Sequence, residues 1–175
     1  MDHQEVATDR RRRPRPAPSM WGDFLYDAFY GGAIGGSAVA LVSVVIDAVR
    51  FEPLFTPSLL GSVLFLGADP ETVTEVNLEM VALYTLVHLF VFGALGLLMS
   101  GLVQRLHELA LHPVVVSVTV FVILHGAFVA TDAVLMEGVV EVLGFWWIAL
   151  VNSTAGIAMG LFLLNAHRES DKARV

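Results

Sequence analysis

Two histidines stand inside runs that hold no charged residue. His88 lies in YTLVHLFVFG (84–93) and His125 in FVILHGAFVA (121–130). Imidazole titrates near neutrality, ligates metals, and donates or accepts hydrogen bonds. Three chemistries follow from that. Neutral histidines can hydrogen-bond across helices, to a partner such as Asn152 or a backbone carbonyl, with Asp47 paired locally to Arg50. His88 and His125 can serve as the two axial ligands of a b-type haem held between the second and third apolar runs, with Gly93, Gly126 and Ala127 making room. Or Asp47, His88, His125 and Asp132 can line a proton or ion path. Arg50 is the one basic residue near enough to hold haem propionates. The inner half of each run lacks ionisable groups, which argues against a continuous path.

The elements that must position these residues are read from composition. The chain has 175 residues, 56% hydrophobic and 15% charged, against about a quarter charged in a soluble domain. The apolar residues gather in four blocks, each at or above the roughly 18 residues of a transmembrane candidate. The expected fold is an all-α membrane protein, a four-helix transmembrane bundle. Its spans fall at about 28–50, 78–104, 113–134 and 142–166, within a domain covering 23–167. Residues 1–22 form a basic, proline-rich tail and 168–175 a second tail. FTPSLLGSVLFLG (55–67) reads as a short interfacial helix in the first external loop, about 56–67, with Thr56 as N-cap, Pro57 at N1 and Gly67 as stop. Asp69-Pro70-Glu71 repeats the start signal, and a helix running from there to about Leu109 is expected.

Charge placement gives the orientation. Arg10–Arg13, Arg15, Arg105, Arg168, Lys172 and Arg174 fall on one side, and Glu52, Asp69, Glu71, Glu75, Glu79, Asp132, Glu137 and Glu141 on the other, where Arg50 is the only basic residue. Basic residues mark the cytoplasmic side, so both termini read as cytoplasmic in a bacterial inner membrane. Asp23 and Asp27 interrupt the place where a cleaved leader would have its apolar core. Trp146 and Trp147 fit an outer aromatic belt, and Trp21, Tyr26 and Tyr30 an inner one.

Depth follows from about 1.5 Å per residue. His88 lies roughly 12 Å from the outer boundary, His125 roughly 9 Å and Asn152 about 15 Å, with Asp47 near the boundary itself. With Tyr84 and Asp132 they form one polar layer in the outer half. Gly32, Gly36, Ala40, Ser43 and Asp47 share a face of the first span, and Asn152, Gly156 and Gly160 a face of the fourth. Such small-residue faces are packing seams. His107 and His112, in LHELALHP, read as a solvated turn.

Cysteine is absent, so thiolate chemistry and cysteine-ligated metals are excluded. No phosphate loop, nucleotide fingerprint or soluble catalytic module is present, so neither an enzyme activity nor a nucleic-acid partner is expected. FTPSLLGSVLF followed by YTLVH resembles a pattern in uncharacterised four-span inner-membrane proteins of bacteria, over about 35 residues. That resemblance implies a bacterial inner membrane and transfers no functional residue. The expected function is a non-catalytic accessory subunit of a larger membrane complex, respiratory or photosynthetic, with the bilayer and other membrane subunits as partners. No cofactor is required, with haem b as the alternative.

Overall fold

The computed structural model describes residues 20–50, 52–109 and 111–172. The arginines at positions 10–13 and 15, and Arg174, lie outside them. Regular structure among the described residues is helical throughout: α1 (Met20–Val49), α2 (Phe55–Leu66), a 3-10 turn (Pro70–Thr72), α3 (Leu78–Glu108), α4 (Pro113–Leu135), α5 (Val139–Leu143) and α6 (Phe145–Lys172). Four of these are long and apolar enough to cross a membrane, at Phe24–Val49, Leu78–Leu106, Pro113–Leu135 and Phe145–Ala166. Helices that are apolar all round are buried in protein or lipid, and the exposed surfaces of these four carry Leu41, Phe90, Val122 and Leu161. The protein is a multi-pass helical membrane bundle.

Each boundary has a local cause. The fourth span starts at Phe145 and not at 142, because Gly144 at φ 92 closes the separate helix α5. Helix α2 starts one residue earlier than Thr56, after Leu54, whose φ of 68 is left-handed. Thr56 and Pro57 therefore sit inside the first turn, not at N-cap and N1. Gly67, at φ 62, does end the helix, its N–H reaching the Ser62 and Val63 carbonyls. Asp69-Pro70-Glu71 starts only the short 3-10 turn, with Asp69 accepting from the Glu71 N–H. Helix α3 begins later because Asn77 caps it, accepting from the Glu79 and Met80 N–H groups at 3.0 and 3.3 Å.

Glycine sets how the spans meet. A Cβ on Gly32 would overlap the Phe92 carbonyl of α3, one on Gly36 would crowd the Phe92 ring, and one on Gly96 would overlap the Ala28 carbonyl of α1. Residues 28, 32 and 36 thus face 96, 92 and 88 in a fixed antiparallel register. Gly156 and Gly160 of α6 face Phe121 and Ser117 of α4 in the same manner. Of the first face, Gly32 and Gly36 lie in the seam, while Ser43 lines a cavity and Asp47 turns to Thr56. A third seam was not legible: Gly31 and Gly35 turn the other side of α1 toward Leu163 and Met159 of α6. Gly93 faces open space. Helix α1 consequently packs on both α3 and α6, α4 packs on α6, and the sequential neighbours α3 and α4 meet only lightly.

Two cores result. Met99, Val103, Val116, Val120, Leu124, Ala155, Met159 and Leu163 fill the end nearest the termini. At the opposite end, Leu59, Leu60 and Val63 of α2 pack with Met136, Val139, Leu143 and Ile148. Helix α2 is the expected short apolar helix: it packs inward through Ser58–Val63, which are buried, leaves Phe65 and Leu66 exposed at its end, and a Cβ on Gly61 would overlap the Met80 carbonyl. With α5 it covers one end of the bundle, hereafter the capped end.

Candidate functional site

The histidines occupy the next rung of each seam toward the capped end. His88 lies ten residues from the start of α3 and His125 ten from the end of α4, so their depths match. The Nε2–H of His88 donates to the Gly36 carbonyl of α1 at 3.0 Å. A carbonyl only accepts, so the His88 proton sits on Nε2. Phe92 flanks the ring at a centroid distance of 4.6 Å.

His125 works differently. Its Nδ1 accepts from Asn152 Nδ2 of α6 at 3.3 Å, which leaves the proton on Nε2. That Nε2 is buried and has no hydrogen-bond partner among the described residues. Phe121 stacks on the ring at 5.4 Å and Phe145 stands perpendicular to it at 5.2 Å. The two histidines belong to different helix pairs, α1/α3 and α4/α6. As placed, His88 has already committed to Gly36 one of the two nitrogens through which imidazole ligates a metal, and the light contact between α3 and α4 gives no packed slot to clamp a porphyrin. The arrangement does not fit a bis-histidine haem without rearrangement.

The acids also have defined work. Asp47 is buried at 1% exposure and does not pair with Arg50, contrary to expectation. It accepts from the Thr56 N–H at 2.8 Å and from the Thr56 hydroxyl at 2.6 Å. The carboxylate of α1 thereby caps the start of α2, where a helix presents unsatisfied N–H groups and positive potential. Asp132 does the same for α5, accepting from the Val140 N–H at 3.0 Å. Arg50 instead lies over the Trp147 ring at 5.5 Å and donates to the Leu143 carbonyl at 3.4 Å. Ser58, unremarked in the sequence, accepts from the Asn77 N–H at 2.8 Å and ties α2 to the start of α3. His112 caps α4, its Nδ1 accepting from the Val114 N–H at 3.3 Å. Asp27 lies within the first span and is buried, so the half of the bundle near the termini is not free of ionisable groups.

Toward the capped end from His88, α1 and α3 separate around a cavity of about 230 Å³. Its wall is mostly apolar, with Val39, Val44, Leu60, Phe92, Phe128 and Val151 among the lining residues. Polar groups enter from Ser43, Arg50, Thr56, Tyr84, Thr85, His88, Trp147 and Asn152, and no carboxylate lines it. His125 is not on the wall; it stands behind Asn152. Tyr84 therefore shares the cavity with His88 and Asn152, while Asp47 and Asp132 serve the loops. Among the described residues no cluster of three or more His, Cys, Asp or Glu side chains is placed to hold a metal.

No family model, curated protein or solved structure matches the chain.

Proposed function

We propose that the protein is a non-catalytic accessory subunit of a larger bacterial inner-membrane assembly, with both termini cytoplasmic. One observation carries this reading: the polar side chains at the histidine rungs and the capped end bind neighbouring helices. His88 holds α3 to α1, Asn152 and His125 hold α6 to α4, and Asp47 and Asp132 fix the two loop helices. Polar side chains commonly link membrane helices in this way. The outward surface is left to apolar and aromatic groups, among them Trp21, Phe29, Phe90 and Trp146, which suit lipid and the flanks of other subunits equally. A respiratory or photosynthetic host rests on analogy with other small polytopic subunits. Gentle purification tests the reading. The expected result is a colourless chain in a larger particle with other membrane subunits; migration alone as a small monomer would end it.

A second reading, a b-type haem electron carrier on His88 and His125, has one observation in its favour, the unpartnered buried Nε2 of His125. It requires His88 to release Gly36. A Soret band lost in both His88→Ala and His125→Ala would put this reading first.

A further inference from the structure

Arg50 is the one basic residue between positions 47 and 79, a segment with five acids beyond Asp47, and the 132–145 segment has none. Even so, it forms no ion pair among the described residues, where the sole ion pair found is Arg105 with Glu108. Of the five N–H donors on a guanidinium, one makes a long bond to the Leu143 carbonyl. The cation is held over Trp147 and on the cavity wall. The donors of Ser43, Tyr84 and Trp147, also on that wall, have no protein acceptor among the described residues. The cavity thus presents uncommitted donors and one cation, with no carboxylate facing them.

Its shape narrows the occupant. From Val39 to Arg50 it follows α1 for about 16 Å at the helical rise, and its apolar wall includes the exposed residues Val44 and Trp147, so it opens on the bundle surface. At about 230 Å³ it is smaller than the roughly 300–1,000 Å³ of sites for drug-sized ligands. A slender chain suits a space of this volume, with the rest of its length left to the open side. We propose that the cavity binds a single-chain lipid carboxylate, its head on Arg50 and its chain along the apolar wall between α1, α3 and α6. A carboxylate accepts hydrogen bonds through both oxygens and pairs strongly with a guanidinium. The chain replaces lipid contacts with Phe92, Phe128 and Val151. This site is independent of the accessory-subunit reading.

The test uses the full chain in detergent with Trp21→Phe and Trp146→Phe, which leaves Trp147 as the reporter on the cavity wall. The probe is a long-chain fatty acid brominated at mid-chain, which quenches nearby tryptophan. Quenching is expected to saturate, with the brominated alcohol of equal length about tenfold or more weaker, the scale of one charge-assisted hydrogen bond. Arg50→Gln weakens binding of the acid to the same degree, Arg50→Lys restores most of it, and Ser43→Phe, which fills the cavity, abolishes it. Equal affinity for acid and alcohol, quenching that never saturates, or competition by a two-chain anionic phospholipid as effective as by the acid would overturn the proposal. Circular dichroism checks the helix content of every variant. If Arg50→Gln loses helix, the acid-against-alcohol comparison on the Arg50 protein decides alone.

Discussion

The bundle contains the same device twice, and the two versions differ in an instructive way. Helices α1–α3 and α4–α6 are each a span, a short helix capped by an aspartate from that span, and a returning span. Each seam of small residues continues into a histidine. In the first hairpin a side chain on Gly32 or Gly96 would strike a carbonyl oxygen of the facing helix. Backbone acceptors are therefore presented into the seam, and His88 takes one. In the second, Gly156 and Gly160 approach the Cα and side-chain atoms of Phe121 and Ser117. No carbonyl is among the atoms nearest those glycines, and His125 bonds to Asn152. The closer contact has a backbone lock and the looser one a side-chain lock.

The largest effect should come from breaking the tighter seam. Gly96→Leu is expected to cost about 3 kcal/mol or to prevent folding, because the obstacle is the Ala28 backbone and not a mobile side chain. Thermal unfolding in detergent measures it, and a variant as stable as the parent would refute the register. The loop caps come next. Asp47→Ala removes two bonds from Thr56 and should cost about 2–3 kcal/mol, since charged acceptors contribute most. Asp132→Ala removes one and should cost about 1 kcal/mol. Amide exchange of residues 55–66 and 139–143 separates the two, and equal acceleration in both variants would erase the asymmetry. Smaller still is the histidine lock. A double-mutant cycle of His125→Ala and Asn152→Ala should give a coupling near 0.6 kcal/mol, typical of interhelical hydrogen bonds in membranes. The pair His88→Ala and Asn152→Ala should give none, since they bond to different partners. With the opposite sign, Gly93→Ala meets nothing and should stabilise α3 by up to about 1 kcal/mol through helix propensity.

The four spans were legible in the sequence because twenty-odd apolar residues in a row have few other fates. Gly32, Gly36, Gly156 and Gly160 were legible because steps of four mark one helical face. Gly93 faces open space while Gly96, one turn on, meets the Ala28 carbonyl, and spacing within one helix carries no information on which side the neighbour lies. Depth put Asn152 in one layer with both histidines but did not select His125, and Gly36 could not be matched to His88, since every residue has a carbonyl. The work of Asp47 was hidden for a related reason. Its partner Thr56 is reached through Leu54, a β-turn-like reversal at positive φ in a residue type that gives no such warning. Nor did α2, apolar on every side, announce that Ser58–Val63 would be buried against protein while Phe65 and Leu66 stay exposed.

The fixed registers have a consequence for the order in which the molecule forms. Each histidine seam joins spans adjacent in the chain, so each hairpin holds everything it needs to close as soon as its second span enters the bilayer. The contact of Gly31 and Gly35 with Leu163 and Met159 joins the first span to the last and must wait for the whole chain. Until then the bare glycine face of α1 is open to any neighbour, and its closure on α6 is the step at which the two halves become one protein.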